Sequence, residues 1–163
     1  PNFCDYAREV INNAKALADE LISLGFNLVG GGTESHLILI DLTGLRISGN
    51  LAAEALETAG IVVNKNLIPN DPGSSFYPSG LRIGTPAITS RGMGKQEMKQ
   101  IAQMISQVIN DLAKQKRLKQ MTLEDERAKQ KRQALINSLS VASQVKQAVG
   151  RLCQRFPIRR EYK

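Results

Sequence analysis

The spacing of apolar positions divides the chain into helices and short strands. Val10, Ala14, Leu17, Leu21 and Leu24 recur at steps of four and three, which puts them on one face of a helix over 6–24, stopped by Gly25. Phe26 to Val29 is a short apolar run, and Gly30-Gly31-Gly32-Thr33 reads as a turn. His36 to Leu42 predicts a strand, with Asp41 on the face away from Ile40 and Leu42. Ser48 is the expected N-cap of a short helix carrying Leu51, Ala52, Ala55, Leu56 and Ala59, closed by Gly60. Ile61-Val62-Val63 and Leu81 to Ile83 predict further strands. The stretch 64–80 between them, with three prolines and two glycines, reads as a long irregular connection, a common home for function. After Gly92 and Gly94, Met98, Ile101, Ile105, Val108 and Leu112 predict a strong helix. One further helix is expected over 123–155, polar in its first half, with Leu135, Leu139, Ala142, Val145, Val149 and Leu152 as an apolar stripe. Phe156-Pro157 ends it. The order predicts an α/β (α+β) fold, a short mixed or antiparallel sheet with helices on one face.

Charge sharpens the division. Residues 1–112 hold 8 Lys+Arg against 11 Asp+Glu, a net of −3, and residues 113–163 hold 14 against 4, a net of +10. The 163 residues are therefore expected to form a body, 1–112, and a basic helical extension, 113–163. Such a tail suits a solvated helix face, or else an acidic partner, nucleic acid or an anionic membrane. Aromatics make up 4% and Trp is absent, which argues against a base-stacking nucleic-acid surface. No apolar run approaches the ~20 residues of a membrane span. Cys4 and Cys153 lie at opposite ends and offer neither a disulfide framework nor a zinc site; buried or inert thiols are expected. The chain opens Pro1-Asn2-Phe3 without Met, as a processed chain, a fragment or a piece of a longer protein would.

Six features are candidates for chemistry. The triple glycine lacks the Gly-Lys-Ser/Thr ending of a phosphate loop and precedes a strand, so a tight turn is expected. His36 has no Cys or His at ligand spacing, and Asp41 has no second carboxylate nearby; hydrogen-bonded structural roles are expected for both. Arg82, between Gly80 and Gly84 in a segment apolar enough to be buried, needs a partner: either a ligand carboxylate gripped by its planar fork, or a structural acid such as Asp71. Asn66 has the donor and acceptor to read a heterocycle's edge, or to open the loop as an Asx-turn, while Ser74 to Phe76 could cradle a flat ring or simply pack.

Several ordered runs carry a resemblance. Gly31-Gly32-Thr33-Glu34-Ser35-His36-Leu37, Asn64-Lys65-Asn66 through Pro69-Asn70-Asp71-Pro72, and Ser79-Gly80-Leu81-Arg82-Ile83-Gly84-Thr85-Pro86-Ala87 with Thr89-Ser90-Arg91-Gly92 resemble the serine hydroxymethyltransferase family in order and spacing. The resemblance runs from about Tyr6 to Leu112, and Leu152-Cys153-Gln154-Arg155-Phe156-Pro157 resembles the ending of many members. It implies the small C-terminal domain of a fold-type-I pyridoxal-phosphate enzyme, with the large domain absent. The family interconverts serine and glycine, using pyridoxal 5′-phosphate and moving a one-carbon unit to tetrahydrofolate. By resemblance Arg82 holds the amino acid's carboxylate, Asn66 bonds the folate pterin, and Ser74, Ser75 and Phe76 line the folate site. The family usually has Ser-Pro-Phe in that loop; this chain has Ser74-Ser75-Phe76, then Pro78. The Schiff-base lysine and the phosphate-binding groups belong to the large domain; Lys65 matches neither, so no catalytic, cofactor-holding or metal-binding residue is expected here and the chain alone is expected to be inactive. The implied partners are its own large domain and a second subunit, in a homodimer or tetramer of the cytoplasm or an organelle, without membrane or nucleic acid. The competing expectations are a stand-alone, non-catalytic interaction domain whose basic tail binds an acidic partner or RNA, and the small domain of another pyridoxal enzyme such as an aminotransferase. The basic stretch 114–133 is longer than usual for the family.

Overall fold

A computed structural model describes residues 2–115 and 126–158. Its centre is a four-stranded antiparallel sheet built from β1 (Asn27–Leu28), β2 (Leu37–Asp41), β3 (Asn64–Asn66) and β4 (Gly80–Gly84) in the order β1-β2-β4-β3. The central pair aligns Ile38 with Ile83 and Ile40 with Leu81. All four side chains are buried on the face that meets the helices. Alternation leaves Leu39 and Arg82 paired on the opposite face.

The helices form because their apolar residues repeat at helical spacing. α1 (Phe3–Ser23) buries Val10, Ala14, Leu17 and Leu21, and Gly25 ends it in the left-handed region at φ 89°. α2 (Gly49–Thr58) is capped by the Ser48 hydroxyl, which accepts from Leu51 N at 3.3 Å, as its sequence predicts. A short α3 (Pro86–Ser90) leads to α4 (Lys95–Lys114), whose Met98, Ile105, Val108 and Leu112 are buried against α1 and α2. α5 (Glu126–Asn137) and α6 (Ser140–Arg155) follow. Ile136, Ala142, Val145 and Leu152 of these two helices belong to the same apolar cluster as the sheet. Among the described residues no helix is long and apolar enough to cross a membrane.

Two local expectations are corrected. Ile61-Val62-Val63 is not a strand: Val62 is 82% exposed, and the strand is the polar Asn64–Asn66. The helix expected over 123–155 is two helices. The Ser138 hydroxyl donates to Leu135 O at 2.7 Å and Leu139 turns extended, breaking the run there. Of the two thiols, both free, Cys4 is exposed and Cys153 half-buried. The expectations placed on 116–125 and on Arg159 to Lys163 lie outside the described residues.

Candidate functional site

Strand register decides which sequence-predicted residues meet. Asn64 pairs with Arg82, Lys65 with Leu81 and Asn66 with Gly80. Paired residues share a face, so Arg82, Asn64 and Asn66 stand together on the sheet face turned away from the helices. Asn66 is the diagonal neighbour of Arg82, on the order of 7 Å away. Asn64 stands out in the sequence only as part of the Asn64-Lys65-Asn66 run, with no role of its own. Its step of two from Asn66 is the signal that places both on one face.

Arg82 is exposed, not buried, because Leu81 and Ile83 on either side take the core positions. Among the described residues its guanidinium makes no hydrogen bond or ion pair, so the structural pair with Asp71 is not formed. Asp71 instead accepts from Gly73 N at 2.7 Å, Ser79 N at 2.9 Å and Ile68 N at 3.1 Å. It is the knot that closes the 67–79 loop. Burial alone would raise its carboxyl, but the bonds from Ser79, Gly73 and Ile68 outweigh that and hold it at about 2.

Asp41, the other acid near Arg82, is also occupied. It accepts from Thr43 Oγ1 at 2.6 Å, Thr43 N at 2.8 Å and Asn27 Nδ2 at 2.8 Å. Burial works to raise its carboxyl, and these bonds lower it overall. Its role is structural, as expected. His36 is exposed, and its backbone carbonyl rather than its ring takes part in a bond, accepting from Thr85 N at 3.2 Å. The expected side-chain hydrogen bond of His36 is absent among the described residues. The triple glycine is a turn, with Gly30 at φ 76° and Gly31 at φ 71°.

The loop residues lie beyond the strand ends. Ser74, Ser75 and Phe76 are exposed, Phe76 by 75%. A turn bond from Tyr77 N to Ser74 O at 3.0 Å shapes them. Lys65 donates from Nζ to Phe76 O at 3.1 Å and so ties the loop to β3. The half-buried Asn66 donates from Nδ2 to Leu67 O at 2.8 Å and keeps its second amide hydrogen free for another partner. Among the described residues the arrangement is a forked cation without a partner, flanked by two amides, with a planar apolar ring on the adjoining loop.

A model of the serine hydroxymethyltransferase family matches residues 1–105. A curated relative, the serine hydroxymethyltransferase of Acidothermus cellulolyticus, is 54% identical over 114 residues, which are 70% of this chain and 27% of that protein. The chain thus spans about a quarter of the length of the curated relative it matches.

Proposed function

We propose a role that starts from kinship: the chain belongs to the serine hydroxymethyltransferase family. It acts as the C-terminal part of an enzyme that interconverts serine and glycine and passes a one-carbon unit to tetrahydrofolate. Arg82 holds the amino acid's carboxylate. Asn66 and the Ser74, Ser75 and Phe76 loop contact the folate. The observation that carries this reading is the guanidinium of Arg82, without a partner among the described residues, on an open sheet face beside Asn64 and Asn66. A bidentate grip at that point fixes rotation about the α-carbon, which sets the bond that reacts.

Pyridoxal phosphate supplies, when bound, the electron sink for that reaction. The described residues do not fit its anchor. Lys65 stands opposite Leu81, on the other face from Arg82, and its Nζ is engaged by Phe76 O. Among the described residues the Arg82 face of the sheet bears no lysine. We therefore assign the cofactor to the rest of the enzyme, together with the second subunit of a homodimer or tetramer.

A chimaera tests the reading: this chain replaces the matching segment of the Acidothermus relative, and serine–glycine exchange and pyridoxal absorbance are measured. Activity is expected. Arg82→Ala lowers kcat/KM for serine by on the order of 100-fold, the cost of removing one member of a charged, forked contact. An unchanged kcat/KM in Arg82→Ala overturns the assignment.

A further inference from the structure

We infer that Arg132, which lies outside the residues 1–105 matched to the family, is a positioning residue for Arg82 and acts through α2. The inference rests on the carboxylate-binding reading of Arg82. Arg132 is 2% exposed. Its Nε donates to Glu54 Oε2 at 2.7 Å and its Nη2 to Glu54 Oε1 at 2.9 Å, a two-pronged grip on the middle of α2. Gln133 adds a bond to Thr58 Oγ1 at 2.9 Å near the end of the same helix.

The other end of α2 presses on the start of β4. Gly49 N donates to Pro78 O at 2.7 Å. A Cβ on Gly49 would stand 2.5 Å from Gly80 O and 2.9 Å from Pro78 O, so the contact has no slack. Ser79 is pinned at the same junction by Asp71 and by Leu42 N, which donates to Ser79 O at 3.0 Å. Gly80 pairs with Asn66, and Arg82 follows two positions later. Gly49 and Glu54 are separated by about 7.5 Å of helix, a length over which α2 is stiff.

The coupling follows from these contacts. Without the Arg132 guanidinium the Glu54 carboxylate, 24% exposed, turns to water, and α2 loses a tie to α5 and is freer to shift. The tight Gly49 contact passes that shift to Pro78–Gly80 and so to the strand that carries Arg82. A half-buried ion pair of this kind is weak evidence for stability; its role here is to fix the angle of the carboxylate clamp.

Steady-state kinetics of the chimaera test this. Arg132→Met, which keeps bulk and removes charge, is expected to raise the KM for serine about fivefold with kcat held within about twofold. Arg132→Lys keeps the charge without the fork and gives a smaller rise. Gly49→Ala, at the opposite end of α2, raises the same KM. A variant that only loosens the fold removes active molecules, so kcat falls while KM stays. That outcome, or an unchanged KM in both Arg132→Met and Gly49→Ala while Arg82→Lys raises it, overturns the proposal. An unchanged KM in Arg82→Lys overturns the carboxylate reading and this proposal with it.

Discussion

Asp71 and Gly80 show how single residues hold the site's shape. The Asp71 carboxyl sits at about 2 in the folded chain, below its ordinary 3.8. A depressed carboxyl stabilises the fold above its unfolded value and loses that contribution as pH falls through its folded value. The loop 67–79 is therefore expected to stay closed at pH 4 and to loosen toward about pH 2. The Ser79 amide shift, followed by NMR, reports this directly: a midpoint near about 2 is expected, and one near 4 would contradict the hydrogen-bonded assignment. Gly80 is constrained by space rather than by charge. A Cβ there would stand 2.5 Å from Ile68 Cγ2, 2.8 Å from Asn66 O and 3.0 Å from Ile40 O. Two of these neighbours are ladder carbonyls that cannot step aside. Gly80→Ala is expected to destabilise the chain by about 2 kcal/mol in urea unfolding.

Among the elements, those with a strong apolar period were legible in the sequence and those held by backbone bonds were not. α1 and α4 follow directly from Val10 to Leu21 and from Met98 to Leu112, and the β4 alternation already implied that Leu81 and Ile83 face inward. The same alternation implied an exposed Arg82; the glycines around it suggested burial instead, because Gly80 and Gly84 read as apolar context when they answer to close packing. β3 escaped because Asn64-Lys65-Asn66 has no apolar signal at all. It is an edge strand held by its ladder with β4, whereas Val62, with the better strand composition, has nothing to pack against. The break at Ser138 and Leu139 also shifted the phase of the helical stripe. Among the described residues of α5 the buried apolar side chain is Ile136, not its neighbour Leu135, which is half-buried. Ile136→Ala is thus expected to cost about 3 kcal/mol and Leu135→Ala about 1, compared by thermal or urea melts of the two variants. The reverse ranking would put the stripe back on its sequence-predicted phase.

At the scale of the whole molecule, the site faces outward from the sheet, and the groups that complete it are proposed to come from the rest of the enzyme. The isolated chain, given pyridoxal phosphate and tetrahydrofolate, is expected to catalyse no serine–glycine exchange; measurable turnover by the pure chain would contradict that. Among the described residues the basic extension is joined to the body by side-chain bonds. Arg91 donates to Phe156 O at 2.7 Å and Cys153 O at 3.0 Å, and Arg132 is sealed against Glu54, so basic and acidic halves interlock across one core. A chain that presents a bare sheet face also presents sheet edges, and open edges recruit strands from neighbouring molecules. Here the edge at β3 is three residues long, carries Lys65 at its middle and runs on to Pro69. That gives an incoming strand too short a template, a charge to bury and, just beyond, a residue with no amide hydrogen to offer. The Asn64-Lys65-Asn66 segment that frames the Arg82 face thus also leaves the β3 edge a poor template for pairing with a neighbouring chain.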